Sequence, residues 1–376
     1  MRPLILINKL TKSLQFTYGE IVFLVKHHNA EVACFDLDID DTIDRSKIHL
    51  LTPPSLIKQK QSNFLARHNL AINYKSSSIK KALEKLIDQV KPDVIQCHFG
   101  NVALQFLDNI DRKTPLPIVI NFHGYDASAW LKNSSYRNRY AKLQKNFNTN
   151  IITCSDDMYK RLSDNGIKGN THLTNYYGTD TIFFKRTNYK TPERFELLQI
   201  CTLRTKKGIL DSLKAFHLFK QNNPNIPAHF TIGGSGGLRS EIETLIQTLG
   251  INQHVTLAGV LTRDQCRTYL NKSSAFIHPS KTPADGDMEG IPNAIMEAMS
   301  MELPIISTYH SGIPELITSG EHGFLAEEGN VTQISEGIAK AVDCGYLEIN
   351  RNRIKNNFEL NDHNERVLHY FKTLVS

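Results

Sequence analysis

Short runs of apolar residues alternate along this chain with longer segments in which apolar residues recur every three or four positions. The short runs predict buried strands, and the longer recurrence predicts helices. In the first half the predicted strands are residues 4–7, 31–37, 94–97, 118–122 and 151–154, and the predicted helices are residues 79–90 and 156–164. This order predicts a parallel sheet that is covered by helices.

The second half repeats the same alternation. Its predicted strands are residues 197–201, 230–232, 255–258, 275–277 and 305–307, and its predicted helices are residues 210–221, 238–249, 263–271 and a helix that begins near Pro292. We therefore predict an α/β protein that contains two Rossmann-like, doubly wound domains.

The length of 376 residues also favours two domains over a single core. Residues 185–194 form a polar run without apolar periodicity, which is typical of a joint between domains. We assign residues 1–185 to the first domain and residues 186–359 to the second. A last helical pattern covers about residues 360–376.

The composition, 40% hydrophobic and 22% charged, is ordinary for a soluble protein. No apolar run approaches the ~20 residues that a membrane span needs, and residues 4–7 are too short for a signal peptide. We therefore expect a cytoplasmic protein. The six cysteines are scattered without a C-x-x-C pair, which predicts reduced thiols and no metal site.

The net charge of +6 is unevenly distributed. Residues 1–175 hold 24 Lys and Arg against 16 Asp and Glu, and residues 47–91 hold nine cations against two carboxylates. This asymmetry indicates either an anionic partner for the first domain or a basic surface that only aids solubility. Nucleic acid is not expected, because no basic strand with interleaved aromatic residues and no zinc module is present.

Two glutamates, Glu289 and Glu297, flank a Gly-Ile-Pro step at the start of the helix near Pro292. Proline suits the first turn of a helix, and the amides after Gly290 would point outward at the positive end of the dipole, which favours a phosphate. Eight helical steps span roughly 12 Å, which exceeds the ~5–10 Å between the carboxyl groups of a glycosidase. A long ligand held at both ends fits this spacing, and so does a surface helix with two solvated glutamates.

The spacing of Glu289 and Glu297, followed by Pro304-Ile305-Ile306-Ser307, resembles the E-x7-E signature of family-four retaining glycosyltransferases (glycosyl transferases group 1), which have the GT-B fold. Residues 285–292 and 310–316 are similar to the colanic-acid and exopolysaccharide branch, and the strong match covers about residues 197–325. The resemblance implies two Rossmann-like domains that face each other across a cleft, with the terminal helix returning to the first domain.

The resemblance also implies roles for residues of the second domain. Glu297 would bind the ribose, Glu289 the sugar hydroxyls, and Lys207 and Arg204 the diphosphate. The family usually has arginine at the position of Thr202. Either Arg204 takes over the role of that arginine, or the role is reduced in this chain. The alternative to a diphosphate site is a solvated basic loop. The full set implied to bind the donor is Gly19, Arg204, Lys207, Gly234, Val260, Glu289, Gly290, Ile291, Pro292, Asn293 and Glu297.

Three of the implied residues depend on their place after a strand. His123 follows the predicted strand 118–122, where open α/β sheets bind ligands, and the resemblance places it, with Glu289, at the reaction centre; a structural histidine is the alternative. Gly19, in the loop that the family has after its first strand, would let backbone amides approach the diphosphate, and Val260 would line the base. The glycine turn at Gly234 lacks the spacing of a dinucleotide fingerprint, so no nicotinamide cofactor is expected.

The function that this reading predicts is a retaining, metal-independent hexosyltransferase without a cofactor. Its donor would be a nucleotide sugar, with UDP-sugar favoured over GDP-sugar, and its acceptor a lipid-linked saccharide or oligosaccharide in the synthesis of exopolysaccharide, capsule or O-antigen. Residues 47–91 would contact the anionic inner face of the cytoplasmic membrane. The alternatives are a GT-B nucleotide-sugar 2-epimerase or phosphorylase, and a non-catalytic sugar-nucleotide-binding partner.

Overall fold

The computed structural model describes residues 1–12, 14–51, 77–107, 115–190 and 192–376. Contacts divide these residues into two compact units, one formed by Met1–Tyr176 with His363–Ser376 and the other by Tyr177–Asp362. Residues 52–76, which hold four of the nine cations in the predicted basic region 47–91, lie outside the described residues.

The first unit is built on a parallel sheet. Its strands are β1 (Pro3–Leu6), β2 (Lys9–Thr11), β3 (Glu31–Cys34), β4 (Asp36–Asp38), β5 (Ile48–Leu50), β6 (Val94–His98), β7 (Ile118–Asn121), β8 (Thr149–Thr153) and β9 (His172–Thr174). Seven of them form one sheet in the order β5-β3-β1-β6-β7-β8-β9, and β2 pairs with β4. The central strands β1, β6, β7 and β8 are buried along their whole length, as expected of a parallel sheet that is covered on both faces.

The helices of the first unit follow the strands. They are α1 (Gln15–His28), α2 (Ser77–Val90), α3 (Gly100–Leu107), α4 (Ser134–Asn146) and α5 (Asp156–Asp164). The start of α5 shows how the local sequence sets a boundary, because the Ser155 side chain accepts a hydrogen bond from the Met158 N–H and two aspartates occupy the first turn.

The second unit has the same plan. Its strands are β10 (Phe195–Ile200), β11 (Ala228–Gly233), β12 (Val255–Gly259), β13 (Ala275–Ile277), β14 (Ile305–Thr308) and β15 (Gly323–Ala326), in the order β12-β11-β10-β13-β14-β15. Its helices are α6 (Ile209–Asn222), α7 (Arg239–Thr248), α8 (Arg263–Lys272), α9 (Asn293–Ser300), α10 (Ile313–Leu316), α11 (Val331–Val342) and α12 (Glu348–Asn357). Every neighbouring pair of strands is parallel.

The prediction of an α/β fold with two Rossmann-like sheets is confirmed. One predicted element is wrong in detail: residues 31–37 form two strands, β3 and β4. The chain breaks between them because the N–H groups of Phe35 and Asp36 both donate to the carbonyl of Asn8, at 3.0 and 3.3 Å. Over the described ranges, no helix has the length and apolar character needed to cross a membrane.

The last helix, α13 (Leu360–Val375), contributes Val367, Tyr370 and Phe371 to the apolar core of the first unit. The chain from His363 onward is therefore part of the first unit. The resemblance assigned the terminal helix to the same unit. The Tyr370 hydroxyl also lies 2.6 Å from the hydroxyl of Thr171, beside β9.

The segment after Tyr176 belongs to the second unit, so the predicted domain boundary at residue 185 lies inside that unit. Arg186, only 1% exposed, holds this segment in place. Its guanidinium donates to the carbonyls of Met301 (2.7 Å), Leu270 (2.9 Å), Asn188 (3.0 Å), Asn271 (3.1 Å) and Ser273 (3.3 Å). A planar group with five N–H donors suits such a set of carbonyls.

We expect Arg186→Met to lower the free energy of unfolding by about 2–4 kcal/mol, because several buried carbonyls would lose their donors. The exposed Arg239→Met, on α7, is the matched control and should cost about 0.5 kcal/mol or less. Urea unfolding of the full chain measures both. An equal decrease in the free energy of unfolding for the two variants would contradict this role of Arg186.

Candidate active site

The candidate site of the second unit lies at the carboxyl ends of two neighbouring strands, β10 and β13. The turn after β10 carries Arg204 and one turn of 3₁₀ helix, Thr205–Lys207, and the loop after β13 carries Asp287 and Glu289 and leads into α9. Because β10 and β13 pair in parallel, their carboxyl ends lie side by side and the two loops meet.

Three cations contact two carboxylates where these loops meet. Lys207 Nζ lies 2.7 Å from Glu289 Oε1, and Lys206 Nζ lies 2.9 Å from Asp287 Oδ1 and 3.8 Å from Glu289 Oε1. Arg204 Nη2 is 3.4 Å from Asp287 Oδ2, but its side chain is 57% exposed, whereas those of Lys206 and Lys207 are about 15% exposed. We call these five residues the ion-pair cluster. The sequence pointed to Arg204, Lys207 and Glu289, and missed Lys206 and Asp287.

Glu289 is ionised although it is only 8% exposed. Burial opposes the charge, but the positive charges of Lys207 and Lys206 outweigh it and lower the pKa of Glu289 to about 2. A buried carboxylate beside two lysines is an acceptor of hydrogen bonds at any physiological pH.

The backbone of Glu289 is fixed from both sides by a motif that the sequence analysis had noted without a role. Its N–H donates to His310 Nε2 at 3.1 Å, and its carbonyl accepts from the Ser311 hydroxyl at 2.7 Å. His310 Nδ1 contacts Glu328 Oε1 at 2.5 Å, and Glu328 also accepts the N–H of Thr282. Since Nε2 accepts, Nδ1 carries the hydrogen, and Glu328 thereby orients the imidazole.

The position of Lys207 depends on Gly208, which has φ +63° and is the N-cap of α6. A Cβ at Gly208 would lie 1.8 Å from the carbonyl oxygen of Pro279, in the loop after β13, so only glycine permits this approach. The Gln199 side chain in β10 donates to the Lys207 carbonyl at 2.8 Å. The two loops are therefore held by backbone contacts as well as by charge.

Helix α9 begins next to Pro292, where the sequence predicted a helix start. Pro292 is its N-cap, with φ −66° and ψ 121°, and Asn293 is the first helical residue. No side chain of the described residues caps this helix end, and Pro292 has no N–H; the N–H of Ile295 donates to the Pro292 carbonyl. Gly290 and Ile291 are buried in the approach to the helix, and Asn293 Oδ1 has no hydrogen-bond partner among the described residues.

Glu297 lies a little more than one turn into α9 and is half-buried. Burial raises the pKa of its carboxyl to about 7, and the Arg263 charge only partly opposes that shift. Arg263 is itself held by Asp180 at 2.8 Å. The two glutamates of the signature thus differ in charge state, because only Glu289 has lysines in contact with it.

His278 directly follows β13, and the sequence analysis missed it. It is 1% exposed, and neither ring nitrogen has a hydrogen-bond partner among the described residues. Burial and the positive charge of Lys207 lower the pKa of His278 to about 3, so the ring is neutral. A histidine after a three-residue strand carries no sequence signal that separates it from a core residue.

The second candidate group lies in the first unit, around His123. The His123 ring contacts those of Phe16 and Phe99, with centroids 5.3 and 4.4 Å away, and its Nε2 lies 3.2 Å from His98 Nδ1. Asp126 accepts the N–H groups of His123, Gly124 and Gly100, at 3.0, 3.0 and 2.7 Å. Asp126 therefore shapes the turn that presents His123, and burial raises its pKa.

Comparison with known proteins shows the family of this chain. Residues 180–360 match the family model described as glycosyl transferases group 1, and residues 28–180 match the one described as glycosyltransferase family 4. The chain belongs to the group 1, family 4 glycosyltransferases. The resemblance drawn from the E-x7-E spacing is thereby confirmed.

Relatives from exopolysaccharide synthesis are among the matches. WcaL of Escherichia coli, assigned to colanic acid biosynthesis as a glycosyltransferase, is 30% identical over 255 residues, which cover 66% of this chain and 61% of WcaL. AmsK, the amylovoran biosynthesis glycosyltransferase of Erwinia amylovora, is 39% identical over 139 residues, 37% of this chain and 34% of AmsK. The chain thus spans about three fifths or less of the length of these relatives.

Among solved structures, HepE from Anabaena, crystallised with UDP and glucose, superposes with a TM-score of 0.74 over 99% of both chains. The sequence identity is 16%, so the similarity shows the fold alone. The neighbouring structures have the GT-B fold, as the fold prediction stated.

The structure also describes the settings of three further residues that were predicted to bind the donor. The prediction that Gly19 belongs to a loop is wrong: it is the fifth residue of α1, where its N–H takes part in the helical hydrogen bonds. The Gly234 N–H donates to Gly259 at 2.6 Å, and a Cβ at Gly234 would lie 1.8 Å from Cys201, so the strands require this glycine. Val260 is 74% exposed.

The predicted residues fall in both units. Gly19 and His123 belong to the first unit, and the other predicted site residues belong to the second. Within the parts of the chain that the structure describes, no group of three or more His, Cys, Asp or Glu side chains is placed to hold a metal ion.

The raised pKa of Glu297 predicts a pH-dependent stability. In the folded chain the Glu297 carboxyl keeps its proton up to about pH 7, whereas in the unfolded chain it loses the proton near pH 4.5. The contribution of Glu297 to the free energy of unfolding is therefore fully present below about pH 4.5, and it is lost as the pH rises to about 7. We expect Glu297→Gln to be more stable than the native chain at pH 8, by about 2 kcal/mol after allowance for solvent screening, and by less at pH 5.

Chemical denaturation at the two pH values measures the difference. The matched control is Glu336→Gln on α11, an exposed position where the substitution should change the free energy of unfolding by about 0.5 kcal/mol or less. A constant difference between native chain and Glu297→Gln from pH 5 to pH 8 would contradict the raised pKa.

Proposed function

We propose that this chain is a retaining glycosyltransferase that moves a hexose from a nucleotide sugar to a saccharide acceptor without a metal ion. The observation that supports this most is the ion-pair cluster beside the uncapped start of α9. Three cations and a helix N-terminus at the carboxyl end of a parallel sheet make a site for a diphosphate.

The leaving group explains why the cations matter. When the bond between the anomeric carbon and the phosphate oxygen breaks, negative charge grows on the diphosphate. Lys206, Lys207 and Arg204 are placed to stabilise that charge, and pre-organised charges of this kind contribute strongly to catalysis. We propose that these side chains supply the charge that a metal ion supplies in other transferases.

The two glutamates suit different parts of the donor. Glu289, ionised and fixed through its backbone, accepts hydrogen bonds from the sugar hydroxyls, and Glu297 accepts them from the ribose hydroxyls. Lysine contacts keep Glu289 anionic, so it can also stabilise positive charge that develops on the sugar ring. His123 of the first unit contacts the sugar near the anomeric centre in this proposal.

Retention follows from attack on the face that the diphosphate leaves. The acceptor oxygen forms its bond to the anomeric carbon as the bond to the phosphate oxygen breaks, and the hydroxyl proton passes to the departing phosphate. Gly290, Ile291, Pro292 and Asn293 bring α9 up to the phosphates, while Val260 lies near the base. Gly234 and Gly19 act only through the backbone of their segments.

The acceptor is, in this proposal, a lipid-linked saccharide, as the roles of WcaL and AmsK in colanic acid and amylovoran synthesis suggest. HepE binds UDP, which favours a UDP-sugar donor over a GDP-sugar. An acceptor of this kind requires contact with the inner face of the cytoplasmic membrane, which the basic region 47–91 would favour.

Binding of the nucleotide should depend on the two buried lysines. We expect Lys206→Met and Lys207→Met each to weaken UDP binding about 10-fold or more, because each removes a charge-assisted contact of about 1.5–3 kcal/mol. Arg204→Met should have a smaller effect, since that side chain is 57% exposed. Lys214→Met, on the exposed face of α6, is the control, and calorimetric titration with UDP and GDP measures all four.

The decisive experiment is a transfer assay with UDP- and GDP-sugars and a lipid-linked saccharide in anionic or neutral vesicles. We expect a glycosidic product with the anomeric configuration of the donor, faster transfer on anionic vesicles, and loss of at least about 100-fold in kcat for Glu289→Gln. A C-2 epimer formed from the donor alone would indicate the epimerase. Binding of the donor without any product would indicate a non-catalytic partner.

A further inference from the structure

Asp287 is the member of the ion-pair cluster to which the proposed function gives no part. It is 2% exposed and lies in the segment between β13 and α9. Its Oδ1 lies 2.9 Å from Lys206 Nζ, and its Oδ2 lies 3.4 Å from Arg204 Nη2. A buried carboxylate therefore contacts two of the cations that the proposed function assigns to the diphosphate.

The surroundings of Lys206 leave little room for a further anion. Its side chain is 14% exposed, and two carboxylates lie beside its ammonium group, Asp287 at 2.9 Å and Glu289 at 3.8 Å. A phosphate oxygen that reached Lys206 Nζ beside Asp287 would place two anions close together in a buried setting, where water screens their repulsion poorly. A diphosphate and Asp287 are therefore poor joint ligands of Lys206.

The charges of the cluster also favour an exchange of anions. Three cations face two carboxylates, so one positive charge is uncompensated. The diphosphate of a nucleotide sugar carries two negative charges, which would leave the site with an excess of negative charge if both carboxylates stayed. If Asp287 leaves, the three cations balance Glu289 and the diphosphate. Arg204 suits such an exchange, because its side chain is 57% exposed and its guanidinium has five N–H donors.

The two carboxylates of the cluster differ in how firmly their backbone is held. Glu289 donates its N–H to His310 and accepts from the Ser311 hydroxyl through its carbonyl, so it is tied to the loop after β14. Among the described residues, the backbone of Asp287 makes one hydrogen bond, from its N–H to Asp285 Oδ1 at 3.0 Å. A bond to a side chain two residues away moves with the segment and does not anchor it. Asp287 is therefore the carboxylate that can leave the cluster.

We propose that Asp287 competes with the diphosphate of the donor for Lys206 and Arg204, and is displaced from them when the donor binds. This inference rests on the proposed function, which assigns these cations to the diphosphate. Before the donor binds, Asp287 holds the two side chains in place and compensates the buried charge of Lys206. The same contacts lower the affinity for the diphosphate. Asp287 is thus a positioning residue, since it acts on the ligand through the cations.

Calorimetric titration of the full chain with UDP and with GDP tests the competition. We expect Asp287→Asn to bind the nucleotide about 10-fold more tightly than the native chain, because asparagine keeps an acceptor for Lys206 but loses the negative charge. Asp287→Glu keeps the charge, and its affinity should stay within about 3-fold of the native value. Asp287→Ser removes the same charge and gives a second measurement if the asparagine variant does not fold. A residue with a merely structural role would weaken binding when it is replaced.

Another buried aspartate of the second unit provides the matched control. Asp211 is 6% exposed and lies 2.7 Å from Lys281 Nζ, and neither residue belongs to the ion-pair cluster. We expect Asp211→Asn to lower the melting temperature and to leave the affinity for UDP within about 2-fold of the native value.

A double-mutant cycle identifies the cation for which Asp287 competes. In the Lys206→Met background, Asp287→Asn should tighten binding of UDP by about 3-fold or less, because only the contact with Arg204 remains to be released. An equal gain in affinity with and without Lys206 would mean that Asp287 acts only as a like charge at a distance. That result would overturn the competition for Lys206.

The failure of this inference is distinguishable from the failure of the proposed function. If the native chain binds UDP or GDP, and the folded Asp287→Asn and Asp287→Ser variants bind it with unchanged or lower affinity, the inference is overturned and the donor site stands. A native chain that binds neither nucleotide would refute the proposed donor site itself, and the inference with it.

Discussion

The burial of a charged carboxylate, Glu289, at the carboxyl end of the second sheet is the constraint that shapes the candidate site. An ionised group that is 8% exposed is stable only if opposite charges lie beside it. Lys207 at 2.7 Å and Lys206 at 3.8 Å meet this need, and they can do so only because Gly208 lets the turn after β10 approach the loop after β13. His310 and Ser311 then fix the backbone of Glu289, so that charge and geometry are held together.

The first unit meets the same constraint by other means. Among the residues that the structure describes, no lysine or arginine contacts Glu20; two histidines and a glutamine surround it. Imidazoles and amides have directional donors, so a carboxylate surrounded by them also determines which nitrogens carry hydrogen. At Glu289 the neighbours are ammonium groups, which stabilise charge but orient little. Buried carboxylates thus serve as a charge in one unit and as a source of orientation in the other.

The sequence predicted most of the fold because central parallel strands are apolar on both faces. The runs 118–122 and 305–307 are of this kind and correspond to β7 and β14. The strands that it missed, β2, β5, β9 and β15, have three or four residues each, and partly exposed positions break their apolar pattern. Strands β5, β9 and β15 lie at the ends of the two large sheets, and β2 pairs with β4. Helix α3 was missed for the opposite reason, since seven of its eight residues are buried and no polar face marks its period.

The site was predicted where a motif lies within one segment and missed where it depends on contact between segments. Glu289, Glu297 and the start of α9 are close in sequence, so their spacing could be read. The pairing of Lys206 with Asp287 joins residues 81 positions apart, and the contact of Glu20 with His363 spans 343 positions. Gly19 was misplaced because the resemblance assigned it to the family's first loop, whereas neighbouring helical hydrogen bonds here outweigh the low helix propensity of glycine.

The ion-pair cluster has a further consequence for a chain that binds and releases a diphosphate. Asp287, 2% exposed, contacts both Lys206 and Arg204, and Glu289 contacts Lys207, so each cation has a carboxylate partner before any ligand arrives. In the proposed function, a diphosphate bound by these cations therefore exchanges one set of anionic contacts for another, so the net gain in binding free energy is smaller than the bare attraction. Such an exchange favours release of the product diphosphate, because the carboxylates compete for the same cations. A site with free lysines would bind the product more tightly and turn over more slowly.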